Sequence, residues 1–190
     1  MILLITGVVL WTIVHLFPSV MSGVRAGLIE KLGENRYKGL FALDLVIALV
    51  LIVIGWRSAA YEPVYNPPLY GSPIISAIML LSFILFAAAS APGNIKRFLR
   101  HPMLTGMAAW SGAHLLANGD LRSVVLFGGL GAWAIISMIT ISRRDGKWDK
   151  PDAVPIAKDL MTIVASAALF ALVAYFHKSV IGVSAIPTLL

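Results

Sequence analysis

Apolar residues run along this chain in six long blocks, roughly 2–20, 40–57, 73–91, 102–118, 122–141 and 159–177, separated by short polar stretches. Each block approaches the ~20 residues that an α-helix needs to cross a ~30 Å hydrocarbon layer. The pattern predicts an all-α integral membrane protein of about six transmembrane helices, forming one domain over residues 1–190. Only Asn118-Gly119-Asp120 separates the fourth block from the fifth, which predicts a tight antiparallel helix hairpin. After the first block, Val24, Leu28 and Leu32 lie one turn apart among charges. That spacing predicts a short amphipathic helix on the membrane surface, ended by Gly33. YEPVYNPPLYGSP, after the second block, reads as an extended strap in the interfacial aromatic belt. AAASA at the end of the third block and GGLGA in the fifth offer small residues for close helix contact.

Composition turns long helices into membrane helices. The chain is 59% hydrophobic and 13% charged, with a mean hydropathy of +0.89, more apolar than a soluble domain of this size requires. MILLITGVVLWTIVHLF has neither the positive start nor the A-x-A-like site of a cleaved signal, so it is expected to remain as the first span. Nothing resembles an organelle transit peptide, and a bacterial inner membrane is the expected location. Cysteine is absent, which excludes disulfides, thiolate metal sites and a cysteine nucleophile. The net charge of +6 sits in short loops rather than in a continuous basic face, so nucleic acid is not an expected partner.

The charges set orientation instead. Arg25, Lys31, Arg36, Lys38, Lys96, Arg97, Arg100, Arg143, Arg144, Lys147, Lys150 and Lys158 fall on one side of the six spans. Arg57, Arg122 and Lys178 fall on the other. Twelve against three predicts cytoplasmic exposure of the first set and places both termini on the periplasmic side.

Three ionisable residues sit well inside the blocks: His15, Asp44 and His114. Intramembrane ionisable groups are costly and mark functional positions by default. In the fourth block Pro102 suits the first helical position. Met103, Met107, Trp110, His114 and Asn118 then share one face at ~100° per residue. Soft and aromatic groups beside a histidine suit a large planar cofactor; equally, His114 could bond a carbonyl across a helix interface. Trp11-x-x-x-His15 in the first block mirrors Trp110-x-x-x-His114. Two neutral imidazoles with no further strong ligand favour a bis-histidine haem over zinc. Asp44 is either an acceptor for the second ring nitrogen of His15 or an ion-pair partner of Arg25 or Arg100. Arg100 and His101 are placed to meet haem propionates or to anchor the helix among headgroups, and His177 reads as interfacial.

HLFPSVMSGVRAGLIEKLGENRYKGLF, from His15, and RHPMLTGMAAWSGAHLLANGDLRSVVLFGG, from Arg100, resemble the NnrU family of bacterial membrane proteins. That resemblance implies a link to nitrite and nitric oxide reduction, with denitrification enzymes or a hydrophobic small molecule as partners besides the lipid bilayer. The same segments are similar to plant zeta-carotene 15-cis isomerase, which implies haem b held by His15 and His114, and haem-based redox or isomerase chemistry. His101 matches the RHP histidine there, and Ser111 stands where that relative has cysteine. Carotenoid chemistry is not implied. RHP-x3-G is also similar to membrane methyltransferases that use S-adenosylmethionine. RRDGKWDKPDA lacks their later acidic motif, which leaves methyl transfer as the alternative beside a cofactor-free assembly factor.

Overall fold

A computed structural model describes residues 1–183 and 185. Among these the chain forms eight α-helices and no strand: α1 Ile2–Val20, α2 Ser22–Leu32, α3 Glu34–Ser58, α4 Pro73–Ser90, α5 Ile95–Phe98, α6 Pro102–Ala117, α7 Leu121–Asp145 and α8 Ala157–Ile181. Five of them, α1, α3, α4, α7 and α8, are long and apolar enough to span a membrane. The remaining expected span is α6. It forms as a helix but has 16 residues, about 24 Å at 1.5 Å per residue, short of a ~30 Å core. The amphipathic segment forms as α2, and Gly33 ends it with φ of 81°, a conformation that favours glycine.

The chain divides into two compact units. The first comprises Met1–Asn66 and Gly119–Lys147, with α1, α2, α3 and α7. The second comprises Pro67–Asn118 and the chain from Trp148 onward, with α4, α5, α6 and α8. The expected turn Asn118-Gly119-Asp120 contains the boundary between the units; within them α6 packs on α4 and α7 on α1.

In the first unit α1 lies between α3 and α7. Helices in lipid gain little from apolar burial against each other and depend on close van der Waals contact, which small residues permit. A Cβ at Gly7 would lie 2.7 Å from the backbone N of Ile52, and one at Gly55 would meet the backbone of Leu4. Leu4, Val8 and Ile52 form the buried cluster between these points, with Trp11 and Trp56 against it. On the opposite side of α1, Gly129 of α7 leaves room only for Val8, and Ser19 Oγ meets Thr140 Oγ1 at 3.0 Å. Of the small residues in GGLGA, Gly129 is a contact point, whereas Gly128 borders open space.

The strap is extended and pairs with the start of α7. Val64 N donates to Gly119 O at 2.8 Å and Leu121 N to Glu62 O at 2.8 Å. Asp120 caps α7 by accepting from Ser123 N at 3.2 Å and Ser123 Oγ at 2.6 Å. It also holds Arg122 at 3.1 Å, which in turn lies 4.8 Å over the Trp56 ring.

In the second unit α4 is the central helix, with α6 and α8 packed on it. A Cβ at Gly106 would stand 3.0 Å from Ser82 O, and Phe83 meets Phe170 of α8 edge-on at 5.7 Å. A polar clasp closes one end. Asn94 N and Nδ2 donate to the two carboxylate oxygens of Asp159 at 2.7 and 2.6 Å, and Nδ2 also reaches Val154 O at 2.8 Å. Val154 N returns a bond to Asn94 Oδ1 at 3.1 Å.

Candidate functional site

His15 stands on α1 four residues after Trp11, and the helix stacks the two rings at 4.2 Å between centroids. Its Nδ1 lies 2.9 Å from the carbonyl oxygen of Trp11. A carbonyl can only accept, so Nδ1 carries the proton and, in the neutral ring, Nε2 carries the lone pair. Asp44 therefore does not take the Nδ1 proton, because the backbone one turn earlier already has. Tertiary packing completes the surroundings: Trp133 of α7 meets His15 edge-on at 4.8 Å, and Phe41 of α3 does so at 6.2 Å. Trp133 also abuts Trp11 at 5.6 Å. Half-buried His15 is thus boxed by three aromatic rings drawn from three helices of one unit.

His114 repeats the local arrangement on α6. Its ring stacks on Trp110 at 4.4 Å, and Nδ1 donates to Trp110 O at 3.0 Å. The bond is made to its own helix, and it selects the same tautomer, with the lone pair of the neutral ring on Nε2. Asn118 ends the helix, its Nδ2 bonding His114 O at 2.9 Å. Met107 is half-buried on this stripe and Met103, nearer the start of α6, is 50% exposed.

The correspondence is longer than the Trp-x-x-x-His pair. Gly7-x3-Trp11-Thr12-x2-His15 and Gly106-x3-Trp110-Ser111-x2-His114 agree at three positions over nine residues and carry a hydroxyl residue at a fourth. In both copies the glycine lies tight against a neighbouring helix, at Ile52 and Ala48 of α3 in one case and at Ser82, Leu85 and Phe86 of α4 in the other. The spacing of eight from glycine to histidine was available in the sequence and marks the same helix face twice.

The other singled-out residues are placed differently. His101 occupies the cap position before α6 with φ of −125°, and its side chain does not cap the helix; Arg100 is half-buried beside it. Arg25 does not pair with Asp44 but lies 5.8 Å over the Tyr37 ring. Asp44 lines a groove bounded by α1, α2 and α3. On α8, His177 donates from Nδ1 to Val183 O at 2.7 Å and is near enough to His114 for the two rings to act on each other electrostatically. Among the described residues no three His, Cys, Asp or Glu side chains gather to hold a metal ion.

Residues 3–185 match the NnrU protein family. The chain belongs to it. No curated protein and no solved structure matches the chain. The NnrU match runs across both Gly-x3-Trp-x3-His segments and all five candidate spans.

One further feature of this NnrU protein bears on the site. The indole Nε1 atoms of Trp11 and Trp133 are buried without a hydrogen-bond partner, as is Ser137 Oγ one turn beyond Trp133. A buried unpaired donor costs about 1–3 kcal/mol. Two of these three groups belong to rings that touch His15. Periodicity could not single out Trp133, because its partner lies 118 positions earlier in the chain.

Proposed function

We propose that this NnrU family protein binds haem b, which His15 and His114 would hold, and that it serves nitrite or nitric oxide reduction in a bacterial inner membrane. The observation that carries the reading is the tautomer. Both imidazoles tie Nδ1–H to the carbonyl of the preceding tryptophan, which directs coordination to Nε2. The donor set fits haem iron, which accepts two neutral imidazoles, better than zinc, which requires further ligands. When bound, the haem would supply one-electron chemistry. The protein's own contribution is to hold each ring in one orientation and one protonation state. Flanking Trp11 and Trp110 add flat aromatic surface suited to a macrocycle.

An absorption spectrum tests this directly. Protein purified in detergent from haem-replete cells should show a Soret band, with sharp α and β bands on reduction. A colourless preparation that binds S-adenosylmethionine would overturn the reading. The charge asymmetry of the loops supports periplasmic termini in the same membrane. A C-terminal alkaline phosphatase fusion should be active, and an inactive one beside a fluorescent cytoplasmic reporter would reverse the orientation.

A further inference from the structure

In the second unit the face that α4 turns to α8 changes size along its length. Phe83, Ala87 and Ala91 recur on it every four residues. Phe83 meets Phe170 edge-on at 5.7 Å and joins the two helices there. At the other two positions the side chain is a single methyl, and a groove of about 270 Å³ opens between the helices, lined by Ala87, Ala91, Met161, Ala165 and Lys158. Lys158 stands in the first turn of α8, and Ala165 follows seven residues later, ~10 Å further along the helix. The groove therefore begins at the polar end of the unit and runs into the span. That end is cationic. Asp159, the carboxylate beside Lys158, is 6% exposed and taken up by Asn94 N and Nδ2. Lys96 and Lys158 make no ion pair among the described residues. The same clasp sets α5 beside the first turn of α8, and Arg97 Nε is fixed on Pro151 O at 3.2 Å. Lys96, Arg97, Arg100, Lys150 and Lys158 thus gather at this end against Asp149, Asp152 and the engaged Asp159. Phe98 and Ile156 stand among them as largely exposed apolar groups, as interfacial residues do.

We propose that this groove holds an acyl chain of one anionic phospholipid, whose phosphate lies against Lys158 at the mouth. Both walls belong to candidate membrane spans, so the medium beside the groove is the bilayer, and a slot of methyl groups opening on it is filled by hydrocarbon. Charge then selects the headgroup. An anionic headgroup brings an unopposed negative charge to Lys158 and the α5 cations, whereas a zwitterionic one brings its own ammonium among them. A free phosphate would meet the lysine and leave the methyl slot empty. Binding here does not depend on what His15 or His114 coordinates, since neither lines the groove.

Native mass spectrometry of the full chain in detergent, titrated with dioleoyl phosphatidylglycerol or dioleoyl phosphatidylcholine, tests this. The first phosphatidylglycerol should bind roughly fivefold or more tighter than the first phosphatidylcholine, as cations beside an anionic headgroup provide. Lys158→Gln should remove most of that preference and leave phosphatidylcholine binding unchanged. Ala91→Phe fills the groove without altering any charge and should weaken both lipids severalfold. The ratio of the two lipids on the unaltered protein decides the matter even if Ala91→Phe misfolds, and equal binding there overturns the proposal. So does a preference undiminished by Lys158→Gln, or phosphatidylglycerol binding untouched in folded Ala91→Phe. Displacement of the lipid by glycerophosphoglycerol, the same headgroup without chains, at equal concentration would also overturn it, as would a dimer of this chain forming in place of the lipid complex.

Discussion

The two Gly-x3-Trp-x3-His segments make the same helix turn and receive different surroundings. On α1, Gly7 admits α3 so closely that an added Cβ would stand 2.7 Å from a backbone nitrogen, and His15 is enclosed by rings from α3 and α7. On α6, Gly106 leaves 3.0 Å to Ser82 O, and the helix that presents His114 has 16 residues. What the segments share is therefore local: a ring stacked on the tryptophan one turn back, and Nδ1–H on that residue's carbonyl. What differs is tertiary. The tautomer follows from helix geometry alone, while the rigidity of the ring follows from what packs on it. A histidine can thus be prepared for coordination by four residues, but held still only by distant ones.

The largest expected effect removes the shared element. His15→Ala and His114→Ala should each abolish the low-spin haem spectrum or convert it to high-spin, since each takes away one of two strong-field imidazoles. Retention of an unaltered spectrum by either variant would break the equivalence of the two segments as ligand donors.

Next comes the glycine pair. Gly7→Ala forces a methyl into the backbone of α3, where nothing flexible can yield, and should cost about 2–3 kcal/mol. Gly106→Ala meets atoms at 3.0–3.1 Å, two of them side-chain carbons of Leu85 and Phe86, and should cost about 1 kcal/mol. Denaturant unfolding in detergent micelles would rank the two. Equal losses would mean that both units tolerate the approach alike.

Trp133 belongs to neither segment and touches the first, at Trp11 and His15. Trp133→Leu removes an edge-on neighbour of His15 and a buried indole donor that has no hydrogen-bond partner. Nitrogen-15 NMR of labelled histidine should still show Nδ1–H in both rings. His15 should broaden as its ring gains freedom while His114 keeps its line width. A change confined to His114 would sink the assignment of Trp133 to the His15 box.

The legibility of these features follows their range along the chain. Block hydropathy located α1, α3, α4, α7 and α8, with the start of α3 six residues earlier than its apolar block, because crossing a bilayer requires an apolar run that no tertiary contact can replace. α2 and its Gly33 stop were equally readable from one-turn spacing and a glycine. Helix partnership was not. At Asn118-Gly119-Asp120 the chain passes from one unit to the other, a boundary that hydropathy does not mark. Which helices pair depends on contacts such as Leu4 with Gly55, and a glycine on a helix carries no mark of its partner. The Asn94–Asp159 clasp was hidden for the same reason, as two polar residues 65 positions apart share no local pattern. For Asp44, helix depth was read usefully. Leu4 opposite Gly55 and Gly7 opposite Ile52 continue in antiparallel register to His15 level with Asp44. Level does not mean bonded, because the ring proton had a nearer acceptor in its own helix.

The smallest expected effects concern the remaining two histidines. His101 precedes α6, and even a helix begun at that residue would turn it ~140° away from His114. One helix cannot present both rings to a single iron, so His101→Ala should leave the low-spin bands in place. At most it should speed haem loss, if Arg100 and His101 steady the propionates. His177 is the more exacting control. It lies near His114 in the same unit, with its own Nδ1–H on a backbone carbonyl, so its Nε2 also carries a lone pair. Its side chain is half-buried near the end of α8 and makes no aromatic ring contact among the described residues. His177→Ala should therefore keep the bis-histidine spectrum, with a shift of no more than a few nanometres in the Soret band from the altered field at His114. Loss of the low-spin bands in His177→Ala, with His15→Ala unaffected, would move the second ligand into the unit that already holds His114. The nine-residue likeness of α1 to α6 would then describe two structural contacts rather than two ligand sites.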